Sequence, residues 1–337
     1  MTETTELPTL TKKDLTSDQE VRWCPGCGDY AVLSTVQSVV PELGVPREDL
    51  VFVSGIGCSS RFPYYMSTYG IHSIHGRAPA IASGISASRP DLKVFVMTGD
   101  GDALSIGGNH LIHALRRNVN LTIVMFNNQI YGLTKGQYSP TSELGKITKS
   151  TPAGSVDHPF NPVSVALGAE ATFVARSIDN ERAHLSEVLR RAAQHEGTAF
   201  VEVYQNCNIF NDGAFDAVRG NKANQIRLEH GEPIRFGADG ERGVALAGTG
   251  ELTLVDVDDV GEEALLVHDA HREDPGLAFM LSRLAHTPTG PTPIGIFRDV
   301  SRPVYGQALQ AQIDDAIARR GPGDLAELIA GRDAWEV

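Results

Sequence analysis

Two buried-strand signals in this chain end in polar turns, and the distance between them fixes the architecture they belong to. Val94-Phe95-Val96-Met97 runs into Gly99-Asp100-Gly101-Asp102, and Leu121-Thr122-Ile123-Val124-Met125-Phe126 runs into Asn127-Asn128-Gln129-Ile130-Tyr131-Gly132. Short apolar runs bounded by turn residues read as buried strands. The 25 residues between Gly101 and Asn127 suffice for one crossover helix and a returning parallel strand. Both turns then lie at strand carboxyl ends, where open α/β sheets bind ligands. Asp100, the side-chain oxygen of Asn128 and the carbonyl of Ile130 make three oxygen donors suited to Mg²⁺, whose octahedron phosphate oxygens complete. Gly99 and Gly101 let the backbone turn sharply and approach a diphosphate. Either turn alone is a weak signal; the ordered pair is a strong one.

The rest of the chain repeats the alternation. The pattern predicts helices over 29–40, 78–88, 105–117, 161–168 and 181–195, and strands over 50–54, 92–97, 121–126, 172–177 and 198–204. Strands alternating with helices make a doubly wound, mostly parallel sheet. Residues 1–20 read as an N-terminal arm, flexible or bound to a partner, and 21–204 as the main domain. Residues 205–337 read as a less regular extension, with helical periodicity over 262–284 and 307–319 and a turn-rich 237–250. A stretch rich in Gly, Pro, Ser and Thr, 134–162, begins right after the second turn. A structureless segment that long inside a compact domain is usually functional, here covering a cofactor or docking a partner.

The chain has four cysteines. Cys24 and Cys27 form a CxxC in a polar turn; Cys58 follows the strand Leu50-Val51-Phe52-Val53, and Cys207 follows Phe200-Val201-Glu202-Val203-Tyr204. A four-cysteine iron–sulfur site needs such residues to converge. Structural zinc usually takes two CxxC pairs, a disulfide framework belongs to small secreted chains, and thioredoxin-like chemistry leaves Cys58 and Cys207 without a role.

The paired turns resemble the signature of thiamine diphosphate enzymes. Trp23-Cys24-Pro25-Gly26-Cys27-Gly28, Gly55-Ile56-Gly57-Cys58-Ser59, His75-Gly76-Arg77-Ala78 and the run from Asn127 to Gln137 are together similar to the beta subunit of 2-oxoacid:ferredoxin oxidoreductases. The likeness is close over about the first 210 residues, and Gly132-Leu133-Thr134-Lys135-Gly136-Gln137 most resembles the branch acting on 2-oxoglutarate. It implies CoA-dependent oxidative decarboxylation of a 2-oxoacid, with electrons leaving through one four-iron four-sulfur cluster to ferredoxin. Cys24, Cys27, Cys58 and Cys207 would hold the cluster, and Asp100, Asn128 and Ile130 the Mg²⁺. Ile56, Gly57, Cys58, Ser59, His75, Gly99, Gly101, Asp102, Asn128, Gly132 and Leu133 would face the cofactor. The Glu that activates the aminopyrimidine belongs in this family to a partner alpha subunit, giving half an active site and an expected α2β2 assembly, with 205–337 wrapping the partner. The same chemistry on pyruvate or a range of 2-oxoacids, or a metal-binding module on a decayed fold, are the alternatives.

Two residues have roles that the resemblance only suggests. His75 precedes a small-residue helix and offers an imidazole to diphosphate or substrate carboxylate; capping that helix or sitting in a subunit interface is the other reading. Lys135 stands where many relatives acting on smaller oxoacids have Gly, so its ammonium is the candidate reader of a distal carboxylate; a surface lysine is the bland alternative. Net charge is −13, against nucleic-acid binding. From Gln205 onward there are 22 acidic and 12 basic residues, most simply a solubilising surface. The first 22 residues carry no apolar core of a leader, and no apolar run of 18 residues occurs, so a cytoplasmic chain without membrane contact is expected.

Overall fold

The structure, a computed structural model, describes residues 10–284 and 290–331; the part of the expected arm over 1–9 lies outside them. Its strands are β1 (Leu50–Ser54), β2 (Tyr69–His72), β3 (Lys93–Gly99), β4 (Leu121–Asn127), β5 (Phe173–Ile178), β6 (Thr198–Tyr204), β7 (Gln225–Leu228), β8 (Arg235–Phe236), β9 (Arg242–Leu246), β10 (Leu252–Asp256) and β11 (Thr292–Asp299). Helices α1 (Asp29–Val39), α2 (Ala78–Ser88), α3 (Asp100–Leu104), α4 (Gly108–Arg117), α5 (Pro162–Gly168) and α6 (Arg182–Gln194) alternate with the first six. The second half adds α7 (Asp216–Arg219), α8 (Val257–Val260), α9 (Gly276–Arg283), α10 (Tyr305–Arg320) and α11 (Leu325–Ala330).

Eight strands form one sheet in the order β2-β1-β3-β4-β6-β5-β11-β7. Pairing is parallel from β2 through β5, and β11 runs antiparallel to β5. Period-two alternation sends Leu50 and Phe52 of β1 toward Val32, Val36, Leu185 and Val188 of α1 and α6. Val51 and Val53 face Ala78, Ala82, Leu111 and Leu115 of α2 and α4 on the other side. Both faces are thus covered, which is why the strands read as continuous apolar runs. The chain leaves β1 for the edge strand β2 and returns on the opposite side as β3. Their following loops diverge, opening the crevice that doubly wound sheets use for ligands.

The second half departs from the expected irregular extension. β7 and β11 complete the main sheet, because Ile294, Ile296 and Phe297 supply buried apolar side chains that the edge of β5 needs. The turn-rich segment holds β9, in a three-stranded sheet of order β10-β9-β8. Residues 262–284 give only a 3₁₀ turn (Glu262–Ala264) and α9, since Pro275 and the polar run before it interrupt the periodicity. The periodic 307–319 lies inside α10. Arm residues 11–20 are mostly exposed but anchored: Leu15 is fully buried and Thr16 bridges to Met66. The expected helix over 105–117 is shorter, because the chain bends between α3 and α4.

Candidate active site

Four neighbouring strands, β1, β3, β4 and β6, deliver residues 55–59, 99–102, 128–132 and 205–207 to one end of the sheet. The cavity there has a volume of about 810 Å³. Of the residues the sequence assigned to cofactor and Mg²⁺, all but Cys58 line it. Lys135 does not; it is exposed, at φ 75°, in a turn where its N–H donates to Gly132 O at 3.0 Å.

Asp100 is 2% exposed and opens α3. Its Oδ2 accepts from Ser139 Oγ at 2.5 Å and Thr141 Oγ1 at 2.6 Å. Burial nevertheless raises its carboxyl to about 6, against those two hydroxyls. Asn128 turns its Oδ1 to Ile130 N at 3.2 Å. Asn127, the other half of the pair, is a support: its Nδ2 donates to buried Glu202 Oε1 at 2.7 Å, and its Oδ1 stands 2.9 Å from Thr141 Oγ1. A Cβ on Gly101 would meet the Tyr131 ring at 2.2 Å, and the Tyr131 hydroxyl donates to Gly101 O at 3.0 Å. That close approach requires glycine.

Asp102 pins three segments. Its Oδ1 accepts from Ile56 N at 3.1 Å, Gly76 N at 2.7 Å and His75 Nδ1 at 2.6 Å, and its Oδ2 accepts from Thr98 Oγ1 at 2.7 Å. With Nδ1 donating to a carboxylate, the free Nε2 of His75 is left for the cavity that the ring lines.

The cysteines gather behind Gly132. A Cβ there would lie 3.5 Å from Cys58 Sγ and 3.6 Å from Cys207 Sγ. Trp23 ties the CxxC turn to this group, donating Nε1 to Cys58 O at 2.7 Å. Cys207 is buried, Cys27 and Cys58 half-buried and Cys24 exposed, and all four are free. Burial, then the charge of Asp29, pushes the Cys58 thiol up to about 12 and the Cys27 thiol higher still. Asp29 is itself buried without a hydrogen-bond partner for either oxygen, and burial lifts it to about 7. Thiols this costly to ionise become ligands only where a metal supplies the positive charge. Four free thiols, two of them meeting at Gly132, are the donor chemistry that an iron–sulfur cluster takes.

Sequence reasoning missed Asp29, Phe126, Tyr131, Thr134, Gln137, Tyr138, Ser150 and Thr151 in the cavity wall, and the Ser139 and Thr141 hydroxyls on Asp100. Most of these belong to the segment after β4, whose length was the available signal. Residues 128–161 carry no helix or strand but close on themselves, with Gly145 N donating to Ser155 O at 2.9 Å and Ser155 N to Lys146 O at 3.0 Å.

Residues 55–203 match the family described as thiamine pyrophosphate enzyme, C-terminal TPP binding domain. The chain is 62% identical over 329 residues to the 2-oxoglutarate oxidoreductase subunit KorB of Mycobacterium tuberculosis, covering 96% of this chain and 88% of that one. It is 42% identical over 213 residues to the 2-oxoglutarate synthase subunit KorB of Methanocaldococcus jannaschii, covering 61% and 78%. Among solved structures it resembles the 2-oxoglutarate:ferredoxin oxidoreductase from Magnetococcus marinus with 2-oxoglutarate, coenzyme A and succinyl-CoA bound. That match has a TM-score of 0.77 and 34% identity and covers 97% of each chain. With the cavity, the donor turns and the cysteines in one place, this likeness over nearly the full length means that the chain belongs to the 2-oxoacid:ferredoxin oxidoreductase family, as a beta subunit.

Proposed function

We propose that this chain is the cofactor-binding half of a 2-oxoglutarate:ferredoxin oxidoreductase. The reaction takes 2-oxoglutarate, coenzyme A and two oxidised ferredoxins to succinyl-CoA, CO₂, two reduced ferredoxins and a proton. The observation that carries this reading is the convergence, at four adjacent strand ends, of Asp100 and Asn128 on one side of Gly132 and Cys58 and Cys207 on the other. The relatives named for 2-oxoglutarate support the substrate.

Thiamine diphosphate, when bound, would supply the electron sink for loss of CO₂, and a cluster would supply a one-electron acceptor. The chain's residues do the holding. Asp100, the Asn128 side-chain oxygen and the Ile130 carbonyl would ligate Mg²⁺, with Ser139 and Thr141 orienting the Asp100 carboxylate toward it. A cation held there would offset the burial that raises Asp100. His75 Nε2 would meet diphosphate or substrate carboxylate, its ring fixed by Asp102. Ile56, Phe126 and Leu133 give the cavity an apolar wall. Lys135, at the rim beside Thr134, would read the distal carboxylate. The carboxylates lining the cavity are Asp29, Asp100 and Asp102, with no Glu among the lining residues. The activating Glu would come from an alpha subunit, in the α2β2 assembly that the family resemblance implies. The exposed face of α10, with Leu309, Ile313 and Ile317 at four-residue spacing, and α11 with Leu325, Leu328 and Ile329, would contact that subunit. Four free cysteines suit the reducing cytoplasm.

The test is anaerobic purification of the alpha–beta complex, then iron, sulfide and thiamine diphosphate analysis, and kcat/KM for 2-oxoglutarate, pyruvate and 2-oxobutyrate with ferredoxin as acceptor. A complex without iron, or one preferring pyruvate, would overturn the corresponding part.

A further inference from the structure

One buried side chain touches both the Mg²⁺-side turn and the cysteine group. Gln205 follows β6 directly and is 1% exposed. Its Nε2 donates to Asn206 O at 2.6 Å and to Cys27 Sγ at 3.3 Å, while its Oε1 accepts from Asn128 Nδ2 at 2.9 Å. The direction of this relay is dictated from one end. A backbone carbonyl only accepts, so the atom facing Asn206 O is the amide nitrogen, and the opposite atom is the carbonyl oxygen. That oxygen needs a donor, which turns the Asn128 amide nitrogen toward Gln205. The Asn128 oxygen is then left on the far side, where it accepts from Ile130 N at 3.2 Å, on a residue that lines the cavity. The same Asn206 carbonyl accepts from Gly28 N at 3.1 Å, so the end of the CxxC turn is fastened to the same point.

We propose that Gln205 is a positioning residue with two outputs, setting the Asn128 oxygen toward Mg²⁺ and donating a hydrogen bond to the Cys27 sulfur that favours the reduced cluster. This rests on the cysteine and Mg²⁺ assignments proposed above. The electrostatic reason for the second output is that a reduced cluster carries one more negative charge, spread in part over its ligand sulfurs. An N–H aimed at one of those sulfurs stabilises the reduced form more than the oxidised one, and hydrogen bonds to the sulfurs are among the determinants of cluster potential. The reason for the first is that an amide free to rotate offers its N–H₂ to a cation as readily as its oxygen. Fixing it removes the wrong orientation before the cofactor arrives. One side chain thereby links the binding of the electron source to the energy of the electron sink.

The test uses the alpha–beta complex, purified anaerobically, with two readouts independent of turnover. These are the cluster midpoint from a redox titration followed by electron paramagnetic resonance, and the Kd for thiamine diphosphate with Mg²⁺ from calorimetry. Gln205→Met keeps length and removes all three side-chain hydrogen bonds; a more negative midpoint and a Kd raised on the order of tenfold are expected. Gln205→Glu keeps an acceptor for Asn128 but replaces the N–H₂ by oxygen and adds a negative charge beside the sulfur; its Kd should stay within a few-fold of wild type while the midpoint falls further than in the neutral Met variant. That split is what a merely structural residue would not produce. If the Met variant loses its iron, the Glu variant carries the midpoint measurement and the Met variant the Kd. An unchanged midpoint in the Glu variant, or an unchanged Kd in the Met variant, would overturn the proposal. Wild-type complex lacking iron and sulfide would overturn the cluster assignment instead, before any variant is made.

Discussion

Lys135 sits in a conformation that L residues rarely adopt, φ 75°, followed by Gly136 at φ 99°. Left-handed backbone costs a non-glycine residue on the order of 1 kcal/mol, so the lysine is held there against its own preference. Lys135→Gly suits that backbone and deletes the side chain without adding strain, which makes it a cleaner probe than Ala. Losing one charged hydrogen-bonded contact costs about 1.5–3 kcal/mol, or on the order of 10–150-fold in kcat/KM for 2-oxoglutarate. Pyruvate and 2-oxobutyrate should change far less; equal losses on all three would mean that Lys135 supports the loop. His184 gives the pH dependence. It is half-buried against Ser177 Oγ at 2.8 Å, and burial, with Arg227 adding to it, depresses its ring to about 4 from 6.5. Below pH 6.5 the unfolded chain therefore takes up a proton that the folded chain refuses, and stability falls as pH drops from about 6.5 toward about 4. The loss is on the order of 1–3 kcal/mol. Urea midpoints at pH 7 and pH 5 should differ less in His184→Gln than in wild type.

Among the elements, β5, β6 and β11 are clamped by Arg176, which is 1% exposed. Its Nε donates to Glu202 Oε2 at 2.6 Å and its Nη1 to Pro293 O at 3.2 Å, and its guanidinium lies over the rings of Tyr204 and Phe297. Glu202 passes the link to Asn127, Asn127 to Thr141, and Thr141 to Asp100. The sheet interior thus reaches Thr141, whose single hydroxyl proton lies between Asn127 Oδ1 and the proposed Mg²⁺ ligand Asp100. Arg176→Met strands the Glu202 carboxylate in the core and should destabilise the fold by about 3–5 kcal/mol, with weaker cofactor binding. Arg176→Met with Glu202→Gln should recover most of that stability, read as thermal midpoints of wild type and the two variants. The sequence made the first half of this sheet legible because β1, β3, β4, β5 and β6 are buried on both faces and so are continuously apolar. The edge strand β2, exposed at all four residues, gives no such signal. β11, with a proline, a glycine and a buried arginine in eight residues, hides among turns. The cavity's polar turns were legible for the opposite reason: Asp100, Asn128 and the cysteines sit in local patterns that chemistry demands. Asp29, Ser139, Thr141 and Gln205 belong to no local pattern, and only the tertiary fold brings them to the site.

Taken whole, the molecule presents two incomplete surfaces. Its cavity has no Glu among the residues that line it, and its last helices show apolar side chains to solvent. Isolated chain, loaded with cluster and cofactor, should not decarboxylate 2-oxoglutarate at a measurable rate, and co-expression with the alpha subunit should restore turnover. Truncation after Val304 should leave the sheet folded by circular dichroism and abolish co-purification with that subunit. Between the cavity and the sulfurs, meanwhile, stands a wall with no side chain at Gly132. Its backbone has an ordinary φ, and a methyl would meet the sulfurs of Cys58 and Cys207 at 3.5 and 3.6 Å, normal contact distances in the protein alone. Gly132→Ala is therefore a depth gauge. The variant should fold with an unchanged thermal midpoint as apoprotein yet assemble less iron, because iron and sulfide bridging the same two sulfurs would fill the space the methyl takes. Full iron loading in that variant would push the cluster away from the wall and lengthen the path over which electrons must tunnel, whose rate falls exponentially with distance.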